Sequence, residues 1–279
     1  MNAVEFTNVC FSYIGEEQKE SDKNFIHNLN LNIKENSFLA LLGKNGSGKS
    51  TLIKLMFGIE KALSGDIKIF NKSIDKEVFE IYKIASLVFQ NPDEQIVADI
   101  VELDVAFAME NYSISSKDMN KKIDEVLEIV DLKHKRKDYV YSLSGGEKQR
   151  LCIASSLVLN PKILVLDEPT SMLDSENRNK IIELLNKIHS NGTTIIIVTH
   201  NINEIEYCND IVFMNNGNIE FYGCKNEFVD RLIKSSEFHN LNLPINFQIA
   251  HEFYKSKNIL VSNEIFDYKK ICEEIWKSL

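Results

Sequence analysis

SFLALLGKNGSGKST, residues 37–51, runs from an unbroken apolar stretch into a glycine-rich loop that ends in Lys49-Ser50-Thr51. The apolar run is short, lacks polar alternation and stops on Gly43, the pattern of a strand buried on both faces. Residues 51–57 then read as a helix. Gly43, Lys44, Asn45, Gly46, Ser47, Gly48, Lys49, Ser50 and Thr51 match the phosphate-binding spacing G-x-x-x-x-G-K-[ST], in the strand–loop–helix context the motif requires. Glycines let successive backbone N–H groups turn into one concavity, and the following helix adds the positive end of its dipole. Lys49 is placed to reach the β- and γ-phosphates of a nucleoside triphosphate, and the Ser50 hydroxyl to ligate Mg²⁺.

Downstream, PKILVLDEP (161–169) is a second continuously apolar strand, ending on two adjacent carboxylates. Strand C-termini are where open α/β sheets bind ligands. Asp167 is placed to hold Mg²⁺ through its water shell, and Glu168 to polarise the water that attacks the γ-phosphorus. A helix from about Asp174 to His189 and the strand TTIIIVTH (193–200) continue a strand–helix–strand order that implies a parallel sheet. SGDIKIF (64–70) and KIASLVF (83–89) read as further strands. Residues 3–13 and 29–33 alternate apolar and polar, as half-buried antiparallel strands do, with a polar loop at 15–24 between them. From about Ile100 to Val130 the period is helical, and another helix runs from about Gly146 to Leu159. DIVFMNNGNIEFYG (210–223) reads as a hairpin around Asn216-Gly217, and residues beyond about 225 as helical with a break at Leu243-Pro244.

Composition narrows the function. The 279 residues carry 41 acidic and 32 basic side chains, a net charge of −9, which argues against a general nucleic-acid binder. The basic run Lys133–Lys137 reads as a solvated loop in so acidic a chain. Five cysteines are scattered without a C-x-x-C pair, as in a reduced compartment. The first residues lack a basic and an apolar region, so no signal peptide is expected. The longest apolar runs, FLALL and TIIIV, fall short of the ~18 residues needed to span a bilayer. Work at a membrane would need a partner inside it.

SLSGGEKQR (142–150) opens a helix with serine and two glycines, a second anion-binding N-terminus separate from the first. One nucleotide has no use for two such sites on one chain. Here the sequence resembles the ATP-binding-cassette ATPases. The resemblance implies that Ser144, Gly145, Gly146 and Glu147 cap the γ-phosphate bound by a second subunit, and that Asp174 in SMLD lies in the D-loop crossing the dimer interface. It further implies that His200 is the switch histidine, Tyr13 in VCFSY the aromatic that stacks on adenine, and Gln90 the Q-loop glutamine reaching Mg²⁺ and the attacking water. Ala108 and Glu147 stand where glycine and glutamine are frequent.

Within that superfamily FQNPDEQ (89–95), Asp104-Val105-Ala106-Phe107 and the tail LNLPINFQIAHEFYKSKNI (241–259) resemble the ATPases of energy-coupling-factor importers. The Asn91-Pro92-Asp93 spelling fits the first of their two paralogous ATPases. The expected fold is α/β: a phosphate-loop core of RecA type, an N-terminal antiparallel β subdomain, a helical signature subdomain at about 91–160 and a helical appendage. The boundary is expected at residues 228/229. The implied function is ATP hydrolysis with Mg²⁺, driving uptake of a vitamin or other micronutrient. The implied partners are a second cassette ATPase, as paralogous heterodimer or homodimer, a transmembrane coupling subunit docked at Asp93 and Glu94, and a substrate-specific membrane component. That places the chain peripherally at the cytoplasmic face of the membrane. Two readings stay open beside it. A non-transport cassette acting on DNA or the ribosome would carry a coiled coil between the two nucleotide motifs or a second cassette. An ATPase of an ordinary solute importer would share every catalytic residue.

Overall fold

A computed structural model of the chain describes residues 1–13, 25–112, 114–234, 243–261 and 265–277, so the whole of the predicted polar loop at 15–24 lies outside the described residues. In the N-terminal part, β1 (Asn2–Phe11), β2 (Ile26–Lys34) and β3 (Phe38–Gly43) lead into α1 (Lys49–Met56), β4 (Ser64–Ile69) and β5 (Lys72–Ser73). Next come α2 (Ile74–Tyr82), β6 (Ala85–Val88), α3 (Pro92–Gln95), α4 (Val101–Glu110), α5 (Ser116–Ile129) and α6 (Gly145–Leu157). The chain closes with β7 (Ile163–Asp167), α7 (Ser175–Ser190), β8 (Thr194–Thr199), β9 (Asp210–Asn215), β10 (Asn218–Cys224), α8 (Lys225–Lys234), α9 (Ile245–Lys257) and α10 (Tyr268–Lys277).

Two sheets result. The strands that alternate in sequence form an antiparallel sheet in the order β2-β1-β4-β5, with one face buried. The continuously apolar strands form the centre of a six-stranded sheet, β10-β9-β3-β8-β7-β6. Every pairing from β9 to β6 is parallel, and β10 closes the edge antiparallel to β9. Helix α1 lies between the sheets: Leu52, Ile53, Leu55 and Met56 share one core with Val4 and Phe6 of β1 and with Leu39, Leu41, Val165 and Ile196 of the parallel sheet. Hydrophobic burial on both faces thus fixes the strand that feeds the phosphate loop.

The other face of the parallel sheet packs against the helices, with Leu42, Val88, Leu164 and Ile197 meeting Leu151 and Ile153 of α6 and Leu185 of α7. The helical period expected from Ile100 to Val130 is broken into α4 and α5. Ser115 interrupts it, its hydroxyl accepting from the Asp118 N–H at 3.3 Å to start a new helix. The expected boundary at residue 228 falls within α8. Phe228, Leu232 and Ile233 of that helix belong to the same hydrophobic core as Phe247 and Ala250 of α9.

The basic run is folded into the helical region. Arg136 binds Glu102 of α4 at 2.7 Å and Asp124 of α5 at 2.6 Å. Lys135 binds Glu147 of α6 at 2.6 Å, Lys133 pairs with Glu128, and Lys137 with Glu102.

Candidate active site

The phosphate loop is held open by its backbone. Gly48, the cap of α1, has φ 110°, a conformation that L side chains rarely adopt, and a Cβ there would press on Met214 at 3.2 Å. The Ser47 N–H donates to the Lys44 carbonyl at 3.1 Å, while the Ser47 carbonyl accepts from Gly217 at 2.8 Å, so the β9–β10 turn buttresses the loop. Lys49 is buried and donates to the carbonyls of Gly43 at 2.8 Å and Lys44 at 3.0 Å. Burial lowers its pKa, countered by the charges of Glu168 and Asp167. A buried cation facing two carboxylates, beside the exposed Lys44, Asn45 and Gly46, is suited to a polyanion.

At the C-terminal end of β7, Asp167 lies with Oδ2 3.4 Å from the Ser50 hydroxyl, and burial and the neighbouring Glu168 push its pKa up. Glu168 adopts φ 44°, left-handed for a non-glycine residue. Its N–H donates to the Val198 carbonyl at 3.0 Å. Its carboxylate is shared: Gln90 Nε2 donates to one oxygen at 3.1 Å, and His200 Nδ1 lies 3.1 Å from the other. Gln90, Glu168 and His200, spread over more than 100 residues of sequence, therefore meet at one carboxylate. Ser171 joins them, accepting from Gln90 at 3.3 Å and donating to the Glu168 carbonyl at 3.0 Å.

Tyr13 is 56% exposed and bonds Thr51 Oγ1 at 2.6 Å, with its ring edge-on to Phe11 at 4.8 Å between centroids. An aromatic face is thereby anchored to the helix that follows the phosphate loop. The signature residues stand apart. Ser144 caps α6 with Glu147 in a reciprocal capping box, Ser144 and Gly145 are exposed, and the side-chain bonds of Ser144 and Glu147 go to each other and to Lys135, not to residues 43–51. Gly146 is tightly placed, since a Cβ there would meet Asn177 Oδ1 at 2.6 Å. Asp174 caps α7, accepting from the Asn177 N–H at 2.8 Å, and Met172 beside it is exposed.

Asp93 and Glu94 are both exposed, and both have partners within the chain. Lys148 of α6 binds Asp93 at 2.7 Å, and Asn91 donates to Glu94 at 3.0 Å. Gln95 was not singled out in the sequence. It accepts from the Phe89 N–H at 2.8 Å and donates to Ser156 at 3.3 Å, tying the Q segment to α6. Asp104 does the same from α4, accepting from the N–H groups of Val97 and Ala98 and from Ser155.

A family profile described as "ABC transporter" matches residues 26–171. Among relatives, the energy-coupling factor transporter ATP-binding protein EcfA1 of Staphylococcus aureus strain MRSA252 is 39% identical over 251 residues, covering 89% of this chain and 90% of that protein. Its counterpart in strain N315 is 38% identical over 258 residues, covering 90% and 93%. The chain belongs to this family of ABC transporter ATPases. Among solved structures, CbiO1 from Clostridium perfringens, described as part of the ABC transporter complex cbiONQ, has a TM-score of 0.74 and 32% identity, covering 89% of this chain and 98% of that one. A dimeric ATP-binding cassette in a post-hydrolysis state with ADP and phosphate has a TM-score of 0.70 and 30% identity, covering 79% of this chain and 98% of that one. The protein is accordingly an ATP-hydrolysing subunit of an energy-coupling-factor transporter. Among the described residues, no helix of this ABC ATPase is long and apolar enough to cross a membrane.

Proposed function

We propose that the chain hydrolyses ATP at a site built from residues 43–51, Asp167, Glu168, Gln90 and His200. It would do so as one of two paralogous cassettes driving uptake of a vitamin or other micronutrient through a membrane coupling subunit. The observation that carries the reading is the Glu168 carboxylate held between Gln90 and His200, both at 3.1 Å.

The phosphates lie on the loop N–H groups and on Lys49, which exchanges two carbonyl partners for phosphate oxygens. Tyr13 stacks on adenine. Glu168 takes the proton of the attacking water, Gln90 orients that water, and His200 steadies the acid and contacts the γ-phosphate. The donor set suits Mg²⁺: a hydroxyl and a carboxylate 3.4 Å apart, the latter with a raised pKa that a neighbouring cation would relieve, with Gln90 nearby. Mg²⁺ bound by Ser50, Asp167 and Gln90 would neutralise charge on the β- and γ-phosphate oxygens. Ser144, Gly145, Gly146 and Glu147 serve the second subunit's nucleotide, with Asp174 shaping the D-loop between them. Asp93 and Glu94 face the coupling subunit at the cytoplasmic surface of the membrane.

Replacing Glu168 with glutamine tests the core of this. A neutral amide cannot take the proton, so turnover is expected to fall by roughly 10²-fold or more with ATP affinity retained. Near-normal turnover of Glu168→Gln, followed by phosphate release, would remove the general-base assignment.

A further inference from the structure

A cavity of about 210 Å³ is lined by Glu168 and His200 together with Thr170, Arg178, Asn201 and Glu204. Glu204 is 4% exposed, and nothing in the chemistry above uses it. Removing a carboxylate from water costs several kcal/mol unless partners compensate, so a buried glutamate marks a constraint that must be met. Its Oε1 accepts from the Thr170 hydroxyl and from Asn201 Nδ2 at 3.3 Å, and the Arg178 guanidinium stands 4.0 Å away. Its Oε2 is buried and has no hydrogen-bond partner among the described residues.

The three partners come from three separate segments beside the site. Thr170 is two residues beyond Glu168, Asn201 is next to His200, and Arg178 is in the first turn of α7, behind the cap Asp174. Glu168 itself sits at φ 44°, a left-handed conformation that a non-glycine residue keeps only where surrounding contacts over-determine it. Those contacts are the Val198 carbonyl, Ser171 and, through Thr170, Glu204. Asn201 is fixed on both sides, its own N–H donating to Thr199 Oγ1 at 3.0 Å and its Oδ1 accepting from Asn203 at 3.1 Å.

We infer that Glu204 is a positioning residue: it holds the segment bearing Glu168 and the segment bearing His200 in one frame, and ties that frame to the D-loop helix through Arg178. It touches no reacting atom. A displacement of His200 is thereby shared with the acid and the D-loop, instead of being absorbed by a slack loop. The inference rests on the reading of Glu168 as the general base.

The test compares Glu204→Ala, Glu204→Gln, Thr170→Val, the double variant Thr170→Val/Glu204→Ala and Glu168→Gln in the full-length chain purified in complex with its partner cassette and membrane subunits. Turnover is measured by phosphate release and ATP affinity by titration calorimetry. Glu204→Ala is expected to lower kcat roughly 10-fold or more with affinity within about 3-fold. Glu204→Gln, which keeps the acceptor oxygen, should stay within about 5-fold of the unaltered chain. Because both side chains act through one hydrogen bond, the double variant should be no slower than the slower single one. Unchanged kcat in Glu204→Ala while Glu168→Gln is inactive overturns the positioning role and leaves the base intact, as do multiplying effects in the double variant or affinity lost in step with kcat. Active Glu168→Gln overturns the base itself and the inference with it. Should Glu204→Ala fail to fold, Thr170→Val decides alone: slowed turnover at constant affinity supports the role, and normal turnover ends it.

Discussion

At the scale of single residues, Glu147 differs in character from Asp167, whose pKa is raised. Lys135 at 2.6 Å, together with the Ser144 N–H and hydroxyl, holds its pKa down at about 2 against an ordinary 4.5. It therefore stays ionised as the cap of α6 far below neutrality. A depressed folded-state pKa contributes stability that is full above the unfolded value and lost as pH falls through the folded one. Glu147→Gln can keep the backbone cap but gives up the ion pair with Lys135, a change worth about 1 kcal/mol at such a partly exposed site. The stability gap between the two proteins should be constant from pH 7 to about 4.5 and shrink as pH falls toward 2. Urea unfolding at pH 7, 5 and 3 measures it; a gap as wide at pH 3 as at pH 7 would mean the ion pair does not hold the cap.

At the scale of elements, the segment 89–104 is tied to α6 by side-chain contacts. Lys148 reaches Asp93, Gln95 reaches Ser156, and Asp104 reaches Ser155, so Gln90 lies at the junction between the signature helix and the strand. Short-range chemistry made the strand–loop–helix at 37–56, the Asp-Glu strand end and the capped start of α6 legible in the sequence as local structure, because each is a contiguous run whose form follows from its neighbours. Gln95, Glu204 and Arg178 were not legible. Each is a polar residue with a partner 26 or more residues away in the chain, and only packing brings them together. Helix α3 was hidden for a different reason: four residues starting at Pro92 are too short to show a period. On this anchored segment Asp93 and Glu94 face outward, and the exposed Val97, Leu103 and Phe107 follow them. Basic cytoplasmic helices of a membrane subunit would find charge and apolar surface together there. Asp93→Lys with Glu94→Lys should abolish co-purification with the membrane subunits while ATP binding persists. Lys148→Met is the control, since it breaks the internal pair without reversing the surface. If it disrupts assembly equally, or if the double lysine variant assembles normally, direct docking by the two acids is wrong.

At the scale of the whole molecule, the two helix starts proposed to bind nucleotide phosphates do not meet within one chain. The first caps α1 at Gly48, and the second opens α6 at Ser144, exposed and bonded only to its own neighbourhood among the contacts described. An exposed capping serine beside an exposed glycine is half of a site, and a second cassette placed head to tail would bring its phosphates to it. Charge at that point separates the two uses of the helix. Gly145 is the place to add it: a Cβ there meets nothing within 4 Å, whereas one at Gly146 would strike Asn177 and disturb the cap of α7. Gly145→Asp therefore leaves the subunit's own fold intact while setting a carboxylate where the partner's γ-phosphate must approach. Like-charge repulsion in a closing, poorly hydrated interface costs several kcal/mol, enough to keep the dimer open. In a Glu168→Gln background, where bound ATP persists, light scattering should show ATP-dependent dimers for Gly145 and monomers for Gly145→Asp. Calorimetry should find ATP bound to both, because the aspartate is remote from residues 43–51 of its own chain. Dimers that survive the substitution would mean that α6 does not face the second nucleotide, and loss of ATP binding by the monomer would mean that the two helix starts act within one chain.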